Sequence, residues 1–443
     1  MKKSFIFYYF LLLIIQTKNQ VIILPFKTVN PSKLIQDNYI TELINNKIYI
    51  EMKIGTPEQK IPVLLKLNQI PFFITSSSYN KNIIKFNSSK SDTYIQNSDK
   101  DYISNDYDYN HAFLGEDIIS IESISNQNFF LNRTQFYLAT NLTENNENNS
   151  GEIGLNIINK IYISFINQLK KKKKIDDYIF SLRYLTENEG EFHLGNYYHF
   201  YDDNYNESDF KSFEIGTLHS RFLDNWEIYF NQIILSSGNL TYGDALLSYE
   251  FGFIYGTEHY HILIKEIFFD NYGNNCKKTI FGKNEFYYIC DKNINLEKFP
   301  DLIFVKDNIN FTFTKNELWK EFENKYYFLV IFCEQQKTNW IFGKIFFKKY
   351  IIFFNLDQKI IGFYPNLNQQ NSKSKNNIKN SNLISYLLPW ILVILLLIIL
   401  IIVIVYFFYC LKIKKRKERA NELDDNYDYV SQKNQNEPFS INK

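Results

Sequence analysis

The chain has 443 residues, a formal net charge of +1 and a hydrophobic content of 45%. This length allows two or three domains of roughly 100–200 residues, with enough apolar side chains for a sizeable core. The balanced charge gives no electrostatic basis for binding nucleic acid, so we expect no nucleic-acid partner.

Residues 1–20 have the pattern of a secretory signal peptide. Lys2 and Lys3 precede an apolar run over residues 5–15, and polar residues suited to a cleavage region follow at 17–20. The run is too short to cross a bilayer, which takes about 20 apolar residues. We therefore predict that this segment is removed and that the rest of the chain enters the secretory pathway.

The central part of the chain predicts an all-β fold. Short runs rich in β-branched and aromatic residues alternate with clusters of Asn, Asp, Gly and Ser, which is the spacing expected of many short strands. The clearest runs cover residues 47–53, 61–66, 118–124, 130–138, 227–235 and 350–355.

Several segments within this β-rich part match one family in both order and spacing. Residues 54–59 read I-G-T-P-E-Q, residues 150–155 read S-G-E-I-G-L, and residues 340–364 begin W-I-F-G and end I-I-G-F-Y. Over residues 38–365 the chain resembles the pepsin-like aspartic peptidases. The resemblance implies an all-β, bilobal, pepsin-like double β-barrel, with lobes over residues 38–205 and 206–365.

The resemblance also identifies the positions where this family carries its two catalytic Asp-Thr-Gly motifs. Lys66 stands at the first aspartate position and Ser248 at the second. The family's chemistry needs two carboxylates about 3 Å apart that share one proton. Lysine has no acceptor, and serine at neutral pH is neither acid nor base. We therefore predict no catalytic residues of the family type.

Two interpretations of these replaced positions remain open. Lys66 and Ser248 would face each other across the cleft, as in a Ser–Lys dyad, or both could be relics in which Glu250 neutralises Lys66. The resemblance also suggests Tyr107 as the tyrosine of the flap over the cleft. The six histidines have no metal-ligand spacing, so we predict neither a metal nor a cofactor.

Three cysteines precede the C-terminal apolar run, in the part of the chain predicted to face an oxidising compartment. The family pairs two cysteines at the positions of Cys290 and Cys333, and the resemblance predicts that disulfide here. Cys276 is then either a free thiol or a competitor for Cys290.

The C-terminal part predicts a single-pass type I membrane protein. A polar stalk over residues 366–382 leads to an apolar segment at 384–411, which is long enough to span a bilayer. The basic start of the remaining tail, 412–443, predicts a cytoplasmic location for it. The preceding lumenal part contains seven N-glycosylation sequons, at Asn87, Asn132, Asn141, Asn148, Asn206, Asn239 and Asn310.

The tail contains one short sorting pattern. Tyr427 and Val430 fit Y-x-x-Φ, an extended segment that adaptor proteins can bind by strand pairing plus a tyrosine pocket and an apolar pocket. This pattern suggests a clathrin adaptor as a partner. The expected location is a membrane of the secretory pathway, the cell surface or the endo-lysosomal system.

Three functions fit these features. The first is a catalytically inactive pseudoprotease that binds a peptide or protein in the cleft. The second is a structural or adhesive surface glycoprotein with a filled cleft. The third, from family membership alone, is an active aspartic endopeptidase. Specific peptide binding would indicate the first function, and a plugged cleft would indicate the second. Pepstatin-sensitive cleavage would indicate the third.

Overall fold

A computed structural model of the chain describes residues 21–28, 46–77, 84–97, 102–103, 109–124, 128–142, 149–157, 163–216, 225–235, 238–240, 242–281, 284–334, 339–364, 403–404 and 406–413. The chain divides into two compact units, Met1–Leu367 and Asn368–Lys443. The first unit contains the predicted pepsin-like part and every strand described below.

The first half of this unit is built almost wholly from strands. They are β1 (Ile22–Thr28), β2 (Ile48–Ile54), β3 (Gln59–Lys66), β4 (Phe72–Thr75), β5 (Ile95–Gln96), β6 (Tyr102–Ile103), β7 (Tyr109–Glu122), β8 (Asn128–Leu142), β9 (Gly151–Gly154), β10 (Ile179–Tyr184) and β11 (Glu189–Leu194). One helix, α1 (Phe165–Lys171), and the 3-10 turns Ser88–Lys90 and Tyr198–Phe200 accompany them.

The second half has shorter strands and more helical turns. Its strands are β12 (Lys211–Glu214), β13 (Glu227–Phe230), β14 (Gln232–Leu235), β15 (Gly238–Leu240), β16 (Gly243–Leu247), β17 (Ile254–Tyr255), β18 (Cys276–Phe281), β19 (Glu285–Asp291), β20 (Leu302–Lys306), β21 (Ile309–Phe313), β22 (Trp319–Phe322), β23 (Lys325–Phe328), β24 (Val330–Cys333), β25 (Trp340–Phe342), β26 (Ile352–Asn355) and β27 (Ile360–Phe363). The helices are α2 (Glu258–Ile264), a π-helical segment Lys265–Phe269, α3 (Asp270–Tyr272), α4 (Lys315–Leu318) and α5 (Lys344–Lys349), with 3-10 turns at Glu207–Asp209, Gly273–Asn275 and Leu296–Lys298.

The first half closes into a β-barrel. Strands β2, β3, β9, β4, β8 and β7 follow one another in the sheet, and a β2–β7 pairing closes this ring. Alternation in β2 explains how the barrel is filled, because every second residue of a strand points to the same face. Ile48, Ile50, Met52 and Ile54 are all buried while the residues between them are not. The prediction of a mostly β fold is confirmed.

The same strand order occurs again in the second half. In the first half β2–β3 is antiparallel, β3–β9 parallel, β9–β4 antiparallel and β4–β8 parallel. In the second half β13–β16, β16–β25, β25–β17 and β17–β24 repeat this sequence of orientations. The two halves are thus two copies of one strand arrangement, and β3 corresponds to β16.

One sheet joins the halves, and it contains a strand that the sequence analysis did not include. The order β12-β27-β26-β10-β11-β1-β2 runs continuously from second-half strands into the barrel. We call these seven strands the shared sheet. The domain was predicted to begin at residue 38, but β1 lies in the middle of this sheet, paired with β11 and β2. The folded part therefore already includes Ile22–Thr28.

No helix within the described residues is long and apolar enough to cross a membrane. Most of the predicted span, 384–411, falls outside those residues. Positions 403–404 and 406–413 are helical.

The predicted disulfide between Cys290 and Cys333 is wrong. Cys290 is bonded to Cys276, its direct partner across the β18–β19 pair. Cys333 lies on β24, opposite Glu285. Glu285 is five residues from Cys290 along β19, or roughly 17 Å at the rise of an extended strand. A disulfide needs Cα atoms within about 7 Å, so this register excludes the predicted pair.

Replacing Cys276 with serine should lower the free energy of unfolding by about 2–4 kcal/mol, because the bond closes a loop of modest length. Cys333→Ser is the matched control and should stay close to the wild type. Thermal unfolding of the full chain in mild detergent measures both changes. Disulfide mapping of the oxidised protein gives a direct check, and a peptide linking Cys290 to Cys333 would contradict the assignment.

Candidate functional site

Lys66 and Ser248 occupy equivalent places in the two halves. Lys66 is the last residue of β3, and Ser248 directly follows β16. Each of these strands runs parallel to a short buried strand, β9 and β25 respectively. The duplicated topology therefore brings the two loops that follow β3 and β16 to corresponding positions. We call residues 66–68 and 248–250 the motif loops.

A glycine packs against the chain just beyond each motif loop. An added Cβ at Gly154 would lie 2.4 Å from the backbone carbon of Ile70. An added Cβ at Gly343 would lie 2.3 Å from the carbonyl oxygen of Phe251. Both contacts are far below an ordinary van der Waals distance, so only glycine fits. These glycines are the ones that the family-like segments S-G-E-I-G-L and W-I-F-G contain.

Hydrogen bonds connect the two motif loops directly. The backbone N–H of Leu67 donates to Oε1 of Glu250 at 3.1 Å, and Nδ2 of Asn68 donates to Oγ of Ser248 at 3.4 Å. Leu67 and Ser248 are fully buried, whereas Asn68 is exposed. The side chains that replace the family's motif residues therefore hold the loops together.

Lys66 forms a largely buried salt bridge. Its Nζ lies 3.3 Å from Oε1 of Glu152, and the side chains are 13% and 1% exposed. The same carboxylate oxygen accepts a hydrogen bond of 2.6 Å from Nδ2 of Asn149. Burying two charges is costly unless they are paired and hydrogen-bonded, and both conditions hold here. The ammonium group thus sits against a carboxylate of the neighbouring strand β9.

Two tyrosines next to these charges stay protonated. Burial raises the pKa of Tyr49 to about 12, and the negative charge of Glu152 adds to this while Lys66 opposes it. Burial also raises the pKa of Tyr249 well above its ordinary value, with a further contribution from Glu250. Both phenols therefore act as neutral groups.

Asn46 and Trp226 add contacts between the halves. Nδ2 of Asn46 donates to the carbonyl oxygen of Tyr249 at 2.6 Å and to the hydroxyl of Tyr184 at 2.7 Å. The indole N–H of Trp226 donates to the carbonyl oxygen of Leu155 at 3.0 Å. The surroundings of the motif loops are therefore a hydrogen-bonded junction between the two copies of the fold.

Other predicted site residues are distributed as follows. Tyr107, Tyr427, Val430 and Asn148 fall outside the described residues, and no side chain is described for Asn239. Among the other sequons, Asn132, Asn206 and Asn310 are exposed, and Asn87 and Asn141 are partly exposed. Within the described part of the chain, no group of three or more His, Cys, Asp or Glu side chains could hold a metal ion.

The sequence analysis missed Glu152 and Asn149 as members of the site. It expected Glu250, the nearest carboxylate along the chain, to neutralise Lys66. The structure adds Glu152 on the parallel neighbour of β3, where the backbone register sets Lys66 opposite Gly154. A signal was present, because a glutamate inside an otherwise buried β-strand demands a charged or polar partner.

A closed barrel, a repeated strand order and two equivalent motif loops at the junction of the repeats together define a pepsin-like domain. A model of the eukaryotic aspartyl protease family matches residues 47–366. The chain therefore belongs to the eukaryotic aspartyl protease family. A search of curated proteins finds no match to the chain.

Proposed function

We propose that this protein is a type I membrane glycoprotein whose aspartyl protease domain binds a peptide or protein ligand without cleaving it. The observation that carries the proposal is the salt bridge between Lys66 and Glu152. It places a paired ammonium group where the family's chemistry needs one of two carboxylates.

The remaining acidic groups support the loss of catalysis. Glu250 accepts a hydrogen bond from the backbone of Leu67, and Glu152 is engaged by Lys66 and Asn149. A general base must reach the attacking water, and a general acid must reach the scissile carbonyl. Lysine and serine at the two motif positions supply neither a carboxylate base nor a carboxylic acid.

Two assays on the full chain in mild detergent test the proposal. Fluorescence polarisation with a library of labelled extended peptides measures binding, and mass spectrometry of the same mixtures between about pH 3 and about pH 6 measures cleavage. We expect saturable binding with intact peptides. Turnover that pepstatin inhibits would instead identify an active endopeptidase and overturn the proposal.

Restoring the two aspartates alone should not restore activity. The double variant Lys66→Asp and Ser248→Asp keeps four non-family residues in the motif loops, and it removes the cation that pairs with Glu152. We expect its turnover to stay at background. The comparison is a variant that rebuilds both complete Asp-Thr-Gly motifs. Strong pepstatin-sensitive turnover in the double variant alone would contradict the expectation.

A structural or adhesive glycoprotein is the second candidate. The observation that favours it is the pair of direct hydrogen bonds between the motif loops, in which the side chains of Glu250, Asn68 and Ser248 take part. Absence of binding by every peptide in the library, with the protein correctly folded, would favour this candidate over the first.

The membrane topology and the second barrel belong to the same proposal. We infer a bilobal double barrel, a stalk over 366–382, a spanning helix over 384–411 and a cytoplasmic tail over 412–443. The exposed sequons at Asn132, Asn206 and Asn310 are the best candidates for sugar attachment. Endoglycosidase treatment and protease protection in intact vesicles test the sugars and the orientation together.

The tail supplies a further testable expectation. If an adaptor binds Tyr427 and Val430, the tyrosine ring enters a pocket on that adaptor. Tyr427→Ala should then raise the surface abundance of the tagged full chain, whereas Tyr429→Ala is the matched control and should not. Equal surface levels in the wild type and both variants would exclude this sorting role.

A further inference from the structure

The four-stranded sheet of the second half has an N-glycosylation sequon on each of its two outer strands. Its strand order is β15-β14-β20-β21, so β15 and β21 are the outer strands. Asn239 is the middle residue of β15, and Asn310 lies on β21 opposite Val305. The sequence reads N-L-T from Asn239 and N-F-T from Asn310. Both edges of one sheet therefore contain a possible attachment site for sugar.

These two outer strands differ from others in the domain by having no charge. An outer strand presents backbone N–H and C=O groups to other chains, and charged side chains on the edge oppose such pairing. Neither β15 nor β21 contains a Lys, Arg, Asp or Glu residue. The outer strands β12, β18 and β22 do carry exposed charged side chains, namely Lys211, Glu214, Lys277, Lys278, Lys320 and Glu321. The four-stranded sheet thus lacks the protection by charge that these edges have.

Part of the β21 edge is covered by the protein itself. The backbone N–H of Thr312 donates to the hydroxyl of Tyr350 at 3.2 Å, and its carbonyl oxygen accepts from Nζ of Lys349 at 2.6 Å. Lys349 is the last residue of α5, so the end of this helix covers the outer side of β21 at Thr312. Backbone groups of alternate residues point to the same side of an antiparallel pair. Those of Asn310, two residues earlier, therefore also point outward.

The side chain of Asn310 is placed where a sugar fits. It is exposed, whereas Phe311 and Phe313 on the same strand are fully buried. Every second residue of a strand points to the same face, so Asn310 and Thr312 share the outer face of β21. A sugar on Asn310 would extend into solvent without displacing the phenylalanines. It would lie beside the outward backbone groups at the start of the strand.

We propose that N-linked sugars on Asn239 and Asn310 cover the two edges of the four-stranded sheet and prevent it from pairing with a second copy of this chain. This inference rests on the proposed function, because sugar attachment requires the predicted lumenal location. In the attachment step the asparagine amide nitrogen bonds to the anomeric carbon of an oligosaccharide. The bond from that carbon to a lipid pyrophosphate carrier breaks, and the amide loses one proton.

The bulk of the sugar accounts for its effect. A pairing strand must come within about 4.8 Å of the edge strand, and a hydrated oligosaccharide beside the backbone excludes it from that distance. The sugars would thus perform on β15 and β21 the function that charged side chains perform on β12, β18 and β22.

Light scattering during gel filtration of the full chain in mild detergent tests this inference. The double variant Asn239→Gln and Asn310→Gln, made in a host that attaches N-linked sugars, should have a protein mass roughly twofold or more above the wild type. The matched control is Asn132→Gln with Asn206→Gln, which also removes two sequons. Asn132 lies on β8, which pairs with both β4 and β7, and Asn206 precedes the charged strand β12. We expect the wild-type mass for this control.

Restoring protection by charge separates the edges from a general need for sugar. The double variant Asn239→Lys and Asn310→Lys removes the same two sequons but places a cation on each edge. It should keep the wild-type mass. If the glutamine variant does not fold, enzymatic removal of sugars from the folded wild type and from the lysine variant provides a second test. Only the treated wild type should then associate.

Mass spectrometry of glycopeptides should find sugar on both Asn239 and Asn310. Sugar on other sequons with either of these two unmodified would overturn the inference and leave the glycoprotein proposal intact, whereas absence of sugar from every sequon would contradict both. A wild-type mass for the glutamine variant, or an equal rise in mass for the control or the lysine variant, would also overturn it. None of these measurements involves peptide binding.

Discussion

Replacing Gly343 with alanine should prevent stable folding or lower the free energy of unfolding by about 3 kcal/mol or more. The added Cβ would lie 2.1 Å from the carbonyl oxygen of Phe253 and 2.3 Å from that of Phe251. Both atoms belong to the backbone, so neither can move aside by a change of rotamer. The whole segment after the second motif loop would have to shift.

Thermal unfolding and expression yield of the full chain measure this effect. Ser212→Ala, at an exposed position on β12, is the control and should match the wild type. Gly154→Ala should resemble Gly343→Ala, because the corresponding Cβ would lie 2.4 Å from the backbone of Ile70. A stably folded Gly343→Ala protein with wild-type stability would show that the packing against the motif loop is looser than described.

Removing the charge of Lys66 alone should destabilise the domain by about 3–5 kcal/mol. The variant Lys66→Met leaves the carboxylate of Glu152, which is 1% exposed, without the ammonium at 3.3 Å. Breaking one side of a buried ion pair has this large effect, whereas replacing both partners by neutral groups is often close to neutral. The double variant Lys66→Met and Glu152→Gln should therefore be more stable than Lys66→Met. Glutamine keeps an acceptor for Asn149.

A double-mutant cycle of unfolding free energies measures the coupling between the two positions. Additive losses from the single variants, with the double variant the least stable, would mean that Lys66 and Glu152 do not act as a pair. Glu250→Gln, which keeps an acceptor for the N–H of Leu67, serves as a control for a general effect of lost negative charge.

Much of the fold could be predicted because its signals are local. The alternation over Ile48–Ile54 and the I-G-T-P-E-Q turn after it specify two paired strands within a few residues. β1 had no comparable signal. It contains Pro25 and pairs with β11, whose residues lie more than 160 positions away. Only the complete sheet explains why this segment is a strand.

The candidate site likewise has one part that the sequence predicts and one part that it does not. The order of the motifs places Lys66 and Ser248 in equivalent loops, and the topology agrees. The contact between Lys66 and Glu152 depends on the parallel register between β3 and β9. The separation of the two residues along the chain does not reveal that register. The disulfide shows the same limit, because the register of the β18–β19 pair sets Cys276 opposite Cys290. In both cases the feature that was not predicted is a contact determined by the register between two strands.

Because β1 lies in the middle of the shared sheet, we expect removal of this strand to promote self-association. β1 fills the gap between β11 and β2, so its loss would create two new sheet edges at once. Unpaired N–H and C=O groups on such edges are templates for any extended strand. A molecule cut after Thr28 would thus become a receptor for the corresponding strand of a neighbour. The length of the mature N-terminus would then decide between a monomer and a strand-exchanged assembly.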